Sequence, residues 1–364
     1  MDSSFLVGEQ VTSEPEVGIV LQTLGHGGGM ERYGMDLVHG LNALGVQPTV
    51  YSYRVDPALP PMHIRAVHRL GSRLMPRKLK AYALSARLQH LATRQALPPL
   101  IGCCRIAQCT LAVCGGTHRG FLEHMGQRAG LFDRLEIGLE ARFYDNSTKV
   151  LAHSRFMRDE LRQHYQVPGA KIHTLYPPVS TSQFGIASDS ERAVLRQRLG
   201  FSQRETLFLF VSTGHRRKGF ALLQSFFSRT SLPVRLLVAG RPIPGKTDNI
   251  TYLGYRTDLE QIYRAVDFTL HPSLYEPFGL SCVESIRCGT PVIVSDRVGA
   301  SEVIARGAQI VLPALTVEAL ARAVDEALQR REPLREQARS APLGYDPSPV
   351  THARALLQLL ATDP

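Results

Sequence analysis

The sequence predicts an α/β protein of two domains, each built on a doubly wound parallel sheet. Short apolar runs typical of buried strands alternate with helical patterns through most of the 364 residues, and this alternation is typical of parallel sheets covered by helices. The alternation stops once, at an extended connector of residues 176–182 with two adjacent prolines, and then restarts. A chain of 364 residues also has the length of two ordinary domains.

The first domain is predicted to span residues 1–178. Residues 1–15 are polar and are expected to be a loose terminus. A first strand at 17–21 leads through a glycine-rich turn into a helix at about 30–44. The same patterns predict further strands at 49–53, 64–67, 110–114, 150–153 and 172–175, and helices at 77–95, 121–144 and 155–165.

The second domain is predicted to span residues 179–345. Its strands are expected at 207–212, 234–239, 251–253, 268–271, 292–295 and 309–312, with helices between them and one from 316 to about 330. A last helix at about 350–360 lies in the segment 346–364, which we expect to pack back on the first domain. The cleft between two such domains is the default ligand site.

Two carboxylates, Glu276 and Glu284, form the most informative pattern. Glu276 follows a short buried strand in a loop with Pro277 and Gly279, and Glu284 falls in the first turns of the next helix. Open α/β sheets bind ligands at such strand ends. We therefore expect the two acids to bind hydroxyl groups of a polyhydroxylated ligand, with the helix N–H groups meeting a phosphate. Alternatively, Ser281 and Glu284 fit a capping box, which would make Glu284 a helix-starting residue.

A glycine turn at residues 25–29 joins the first strand to the first helix. Its glycines allow close approach to a phosphate or an acceptor. A dinucleotide site would need an acid about 20 residues later, and residues 46–53 contain none. A Walker A loop would end in Gly-Lys-Ser/Thr, whereas this turn continues Gly-Met-Glu. A tight turn with no ligand is the remaining alternative.

The equivalent turn of the second half is basic, with Arg216, Arg217 and Lys218 in succession. Three cations at a helix N-terminus are unfavourable, because this end of the helix dipole is itself positive. A bound diphosphate would offset that repulsion and so explain why the cations are there. A solvated basic loop is the alternative. His118 follows another strand, on the side of the cleft, where it is either a hydroxyl ligand or a structural histidine.

The net charge of +10 resides in one segment. Residues 57–122 contain no Asp or Glu and ten Lys or Arg, which favours an anionic partner. Nucleic acid fits poorly, because Tyr82 is the segment's one aromatic residue before Arg119 and no nucleic-acid motif is present. The six cysteines have neither disulfide nor usual zinc spacing, and Asp-x-Asp, the usual carboxylate pair for a divalent metal, does not occur. With no basic leader and no long apolar run, a cytoplasmic location is expected.

Together these segments resemble glycosyltransferase family 4, retaining enzymes of the GT-B fold in which two Rossmann-like domains face a cleft. The matching pieces occur in the family's order at residues 27–32, 150–156, 217–219, 253–255 and 275–284. The middle of the chain is most similar to enzymes that build bacterial lipopolysaccharide and other cell-surface glycans.

The resemblance implies a nucleotide-sugar donor held mainly by the second domain. Glu284 would bind ribose hydroxyls, and Glu276 the transferred sugar near its 3- and 4-hydroxyls. Diphosphate binding would fall to Lys218 and Arg217, with the choice between Arg216 and Arg217 left open. The other implied donor contacts are Gly28, Gly29, Tyr255 and the backbone N–H groups of Phe278, Gly279 and Leu280, and His118 matches a cleft histidine.

The implied reaction retains anomeric configuration and needs no metal or other cofactor. We expect a UDP-sugar as donor and an anionic glycan or glycolipid as acceptor, with the basic segment 65–94 facing the inner surface of the membrane. A nucleotide-sugar epimerase or a phosphorylase on the same scaffold would share the nucleotide or phosphate site. A nucleic-acid-binding protein is the remaining alternative.

Overall fold

The structure is a computed structural model that describes residues 16–25, 27–57, 59, 61–71, 75–76, 79–245, 247–340 and 343–362. Thirteen strands lie in two sheets within these residues. We call residues 16–178 the first half and residues 179–345 the second half. The predicted loose terminus at residues 1–15 lies outside the described residues.

The first half carries the larger sheet. Its strands are β1 Gly18–Leu24, β2 Thr49–Val55, β3 Ala66–Arg69, β4 Leu100–Gly102, β5 Leu111–Cys114, β6 Lys149–Ala152 and β7 Ile172–Thr174. Its helices are α1 Gly29–Ala43, α2 Lys80–Ala92, α3 His118–His124, α4 Leu131–Asp145 and α5 Arg155–Tyr165.

The second half carries the smaller sheet and is followed by the final helix. The strands are β8 Thr206–Ser212, β9 Val234–Gly240, β10 Ile250–Gly254, β11 Phe268–His271, β12 Val292–Ser295 and β13 Gln309–Leu312. The helices are α6 Asp189–Arg198, α7 Phe220–Phe227, α8 Leu259–Ala265, α9 Leu280–Arg287, α10 Val317–Gln329 and α11 Arg331–Ser340, and then α12 Pro349–Ala361.

Every neighbouring pair of strands in both sheets is parallel. The strand orders are 3-2-1-4-5-6-7 and 10-9-8-11-12-13. In each sheet the chain therefore adds strands toward one side of the first strand (β1 or β8) and then toward its other side. Each sheet has an apolar core on both faces, which is why the strands are nearly continuous apolar runs. The predicted fold class is confirmed.

The boundaries of several elements differ from the predictions. The helix predicted at 121–144 is two helices, because Gly126 adopts a left-handed conformation (φ 62°) and Gly130 starts the second one. Strand β4 was not predicted, since it has only three residues, the last of them a glycine, between two prolines and two cysteines. Strand β3 begins two residues later than expected, and α11 was not predicted because it buries only Leu334 and Ala338.

Helix α12 returns to the first half and packs against α1. The Tyr33 hydroxyl and His352 Nε2 lie 2.9 Å apart in this contact, and His352 Nδ1 lies 3.0 Å from the carbonyl oxygen of Tyr176 in the connector. These contacts agree with the expected return of the C-terminal segment, while the bounds 1–178 and 179–345 stay predictions. Among the described residues, no helix is both long enough and apolar enough to cross a bilayer.

Candidate active site

The two predicted acids lie where the sequence places them, on either side of the start of α9. Glu276 is in the loop after β11, and its main chain is fixed by hydrogen bonds to the loop after β12: its N–H donates to Arg297 O (3.0 Å) and its carbonyl accepts from Gly299 N–H (3.1 Å). Glu284 lies in α9, buried at 3% exposure. The loop and the helix therefore hold both carboxylates on rigid supports.

The capping-box interpretation of Ser281 and Glu284 is wrong. Helix α9 begins after Gly279, and no side chain caps it. Gly279 has a left-handed conformation (φ 102°), and a Cβ there would come within 3.3 Å of Glu276 Cγ, so any other residue would be strained. Because no side chain covers the start of the helix, its first N–H groups remain available to an anion in the cleft.

The basic turn meets the acid loop directly. The Leu274 N–H donates to the Arg217 carbonyl (2.8 Å), and the left-handed Gly219 lies so close to Pro272 O that a Cβ would be 2.0 Å away. Arg217 Nη1 and Lys218 Nζ lie 3.0 and 3.7 Å from the same oxygen of Glu276, Oε2. Two cations and a carboxylate thus form one cluster beside the start of α9.

Arg216 differs from its two neighbours. Its side chain is exposed, and it is not among the residues that line the cleft. The geometry therefore favours Arg217 over Arg216 as the arginine of the site.

The glycine turn of the first half faces the start of α9 across the cleft. Helix α1 begins at Gly29 with Gly28 as its N-cap and no side-chain cap. A Cβ built on Gly29 would lie 3.9 Å from Leu280 Cδ1. Two helix N-termini, one from each half, therefore border the same space.

His118 lies on the first half's side of the cleft, at the start of α3. Its N–H donates to Glu140 Oε2 (2.7 Å), and its Nε2 lies 2.9 Å from Asp133 Oδ1. The side chain is 13% exposed. The first contact anchors the main chain at His118 and the second orients the imidazole, and the residue lines the cleft.

The cleft has a volume of about 920 Å³ and is lined by both halves. Its lining includes all the predicted site residues except Arg216: Gly28, Gly29, His118, Arg217, Lys218, Tyr255, Glu276, Phe278, Gly279, Leu280 and Glu284. The space suits an elongated polar ligand, with carboxylates as hydroxyl acceptors and cations and helix N-termini for an anion. No group of three or more His, Cys, Asp or Glu that could hold a metal ion occurs in the part of the chain that is described.

Several residues of the site were missed because their partners are distant in sequence. Tyr275 lies beside Glu276, yet its hydroxyl accepts from the Thr117 N–H (2.9 Å) and donates to Glu160 Oε2 (2.8 Å), both in the first half. The Thr117 hydroxyl also bonds to Glu160 Oε2 (2.5 Å). Ser154 Oγ donates to Pro277 O across the same boundary (2.7 Å). These bonds fix the Glu276 loop to the elements that carry His118.

Glu160 has an unusual protonation equilibrium. Burial raises its pKa from the ordinary 4.5 to about 7, although the hydrogen bonds from Thr117 and Tyr275 act in the opposite direction. The folded state binds the Glu160 proton more tightly than the unfolded state does. This proton therefore adds to the free energy of unfolding in full below about pH 4.5, and the contribution is lost as the pH rises through 7.

As the pH rises from 5 to 8, we expect the free energy of unfolding of Glu160→Gln to rise relative to that of the wild type by up to about 3 kcal/mol. The amide cannot ionise, so the variant lacks the cost of a buried carboxylate at high pH. Urea unfolding at the two pH values measures this. Glu332→Gln, at a carboxylate of α11 that is 72% exposed, is the control and should follow the wild type. Parallel pH profiles for Glu160→Gln and the wild type would disprove the assignment.

The acid-free stretch 57–122 does not face the cleft as a whole. Among the described lining residues it contributes one arginine, Arg105, and this guanidinium is already bonded to Glu136 (2.8 Å) and Glu140 (2.8 Å). Arg119 lies over the Tyr165 ring instead. The acid-free stretch is therefore partly neutralised by acids that follow it in sequence. Its other described lysines and arginines do not line the cleft.

Comparison with known proteins identifies the family. The profile described as Glycosyltransferase Family 4 matches residues 27–183, and the profile Glycosyl transferases group 1 matches residues 191–342. A probable transglycosylase of Burkholderia thailandensis is 40% identical over 353 residues, covering 95% of this chain and 96% of the relative. This chain belongs to glycosyltransferase family 4.

Solved structures show the fold of this glycosyltransferase. It matches WaaG, a glycosyltransferase involved in lipopolysaccharide biosynthesis, with a TM-score of 0.79 at 19% identity over 95% of this chain and 100% of that one. It also matches HepE of Anabaena, solved with UDP-glucose, with a TM-score of 0.73 at 18% identity over 94% and 99% of the two chains. The predicted GT-B fold is confirmed.

Proposed function

We propose that this glycosyltransferase moves a sugar, with retention, from a nucleoside-diphosphate sugar to a glycan or lipid-linked acceptor of the bacterial cell surface. The observation that carries the proposal is the cluster of Glu276, Arg217 and Lys218 beside the uncapped start of α9, with Glu284 in the same helix. Hydroxyl acceptors and phosphate donors at one strand end suit both parts of such a donor.

Each part of the donor has a matching set of groups. Glu284 binds the ribose hydroxyls, and Glu276 binds the transferred sugar. The diphosphate lies between Lys218, Arg217 and the N–H groups at the start of α9, while Gly28 and Gly29 approach it from the first half. Tyr255, 66% exposed at the cleft, stacks on the nucleobase.

The chemistry that we propose uses no metal. As the bond between the anomeric carbon and the phosphate oxygen breaks, negative charge grows on the diphosphate, and Arg217, Lys218 and α9 stabilise it. The acceptor oxygen bonds to the anomeric carbon on the same face, and the leaving phosphate takes the acceptor proton. The products are the glycoside and the nucleoside diphosphate. His118 contacts a hydroxyl of the transferred sugar.

Known relatives support a surface-glycan role but differ in what their names say. WaaG acts in lipopolysaccharide biosynthesis, and HepE has been solved with UDP-glucose, which is why we favour uridine. The relative at 40% identity is named a transglycosylase, which would take its sugar from a glycoside. We place that second, because two cations beside the sugar carboxylate suit a diphosphate leaving group better than a neutral one.

We further propose that the enzyme works in the cytoplasm at the inner membrane face. Leu79, Leu131, Phe132 and Leu135 are 38%, 73%, 49% and 44% exposed. The Tyr82 hydroxyl donates to the Leu135 carbonyl, which joins α2 to α4 here. We call these four side chains the apolar patch. Lys80, Arg128 and Arg134 adjoin it in sequence, and apolar side chains among cations suit an anionic lipid surface. We therefore propose anionic lipid headgroups, which lie outside the cleft, as the partner of the basic segment 65–94.

A panel of UDP, GDP, ADP and their sugars, read by thermal shift, tests the donor proposal. We expect one nucleoside diphosphate to raise the melting temperature, since a ligand that binds only the folded state stabilises it. Glu284→Ala should need about tenfold or more nucleotide to reach the same rise in melting temperature, because a charged acceptor of hydrogen bonds from the ribose hydroxyls is lost. Release of that nucleotide only when acceptor is added distinguishes a transferase from an epimerase. No response to any nucleotide would overturn the proposal and favour a transglycosylase.

A further inference from the structure

Arg32 of the first half reaches across the cleft to Glu284. It lies in the first turn of α1, three residues after Gly29, and its Nη1 donates to Glu284 Oε1 at 2.8 Å. Its side chain is 34% exposed, whereas that of Glu284 is 4% exposed. The carboxylate that we assign to the ribose is thus held by a residue from the opposite half of the protein.

Both oxygens of Glu284 have a protein donor. Arg32 bonds to Oε1, and the buried Tyr263 hydroxyl donates to Oε2 at 3.0 Å. A carboxylate has about four acceptor positions, so each oxygen retains capacity for one more donor. Two adjacent hydroxyls, such as those of a ribose, match two oxygens with one remaining position each. The two protein bonds therefore set the plane of the carboxylate without closing it.

Arg32 is itself held at more than one point. Its Nη2 donates to Gln183 Oε1 at 3.3 Å, and its guanidinium carbon lies 5.2 Å from the centre of the Phe184 ring. Gln183 Nε2 donates to Glu260 Oε2 (3.3 Å), so the contacts extend into α8. A planar guanidinium satisfies these contacts at once, whereas the single ammonium of a lysine cannot.

We infer that Arg32 is the positioning residue for the ribose-binding carboxylate Glu284, so that recognition of the ribose hydroxyls is complete only when the two halves are in contact. The inference rests on the proposed function, because it presumes a nucleoside-diphosphate donor. It goes beyond that function because the preference for a ribose then depends on a residue of each half, Arg32 and Glu284, and not on the second half alone. Binding energy from the ribose then favours the closed arrangement.

A purely structural ion pair between the halves would behave differently. It would contribute to stability and to the contact between the halves, but it would not discriminate between nucleotides that differ in one ribose hydroxyl. The chain offers a control for that case in Arg155, which donates to Glu302 of the second half through its N–H (2.6 Å) and Nε (3.3 Å). Arg155 is not among the residues that line the cleft.

The test compares affinities for the nucleoside diphosphate that the wild type binds and for its 2′-deoxy and 3′-deoxy forms, by calorimetry. Wild type should prefer the ribonucleotide about tenfold or more, because each hydroxyl donates to a charged acceptor. In Arg32→Met this preference should shrink to about twofold or less, with the loss confined to the ribonucleotide. Arg32→Lys should restore it in part, and Arg155→Met should keep the wild-type ratio.

The outcomes separate this inference from the function on which it rests. Tight binding with an unchanged ribose preference in Arg32→Met would overturn the role of Arg32 and leave the donor proposal standing. Equal binding of ribo and deoxy forms by the wild type would overturn both the role of Arg32 and the assignment of Glu284 to the ribose, and would leave only the diphosphate contacts of the donor proposal standing. Wild type that binds no nucleoside diphosphate would overturn both. Unliganded melting temperatures of Arg32→Met and Arg155→Met show that each variant is folded.

Discussion

Replacing Lys218 by methionine is expected to lower kcat for sugar transfer by about 10²–10³-fold, with a smaller change in KM. Lys218 Nζ lies 3.7 Å from Glu276 Oε2 and 3.1 Å from Val211 O, and its side chain is 14% exposed. A cation this well shielded from water interacts strongly with charge that develops nearby. The diphosphate gains negative charge as the sugar departs, so the lysine is worth more in the transition state than in the ground state.

Arg216→Met provides the matched control for Lys218→Met. Arg216 belongs to the same basic turn but is exposed and outside the cleft lining, so its loss changes the net charge equally without removing a phosphate contact. Steady-state kinetics with the donor found by thermal shift measure both variants. Equal losses in the two would mean that the basic turn acts through its overall charge, and a wild-type kcat in Lys218→Met would exclude it from the reaction.

Fold class was predictable because it depends on local patterns. Residues 268–271 and 292–295 are buried apolar runs, and both strands occur with the predicted bounds. The errors arose where local patterns are weak. Strand β4 has three residues and is specified by its neighbours β1 and β5 rather than by its own sequence. Helix α4 was merged with α3, since neither Gly126 nor Gly130 interrupts the helical apolar period strongly.

The candidate site was predictable in part for a similar reason. Glu276 and Lys218 follow strands, and the ends of adjacent parallel strands β8 and β11 meet at one sheet edge. Sequence could not show that Arg32 bonds to Glu284, 252 residues away, or that Tyr275 bonds to Glu160, 115 residues away. Both contacts depend on how the two halves meet. The one available signal for Arg32 was its place three residues after the last glycine of the turn.

Charge along the chain was the least reliable guide to the partner. The acid-free stretch 57–122 suggested an anionic partner, yet Arg105 is neutralised by Glu136 and Glu140, which lie beyond the stretch. Summed charge over a segment ignores acids that folding brings to it. The exposed apolar side chains of α4 lie just beyond the same segment, and their position makes the membrane proposal testable without reference to the cleft.

We expect Leu131→Ser with Phe132→Ser to weaken binding to vesicles containing anionic lipid by about tenfold to hundredfold. Leu131 and Phe132 lose the apolar surface that would enter the headgroup region, while the nearby cations are unchanged. The affinity that remains should fall with salt by the same factor as that of the wild type, because the cations that salt screens are unchanged. Co-sedimentation at two salt concentrations measures both effects.

Val194→Ser with Val311→Ser, at residues 46% and 47% exposed in the second half, is the matched control. If the two double variants bind equally, or if the wild type binds no vesicles, the apolar patch is not a membrane contact.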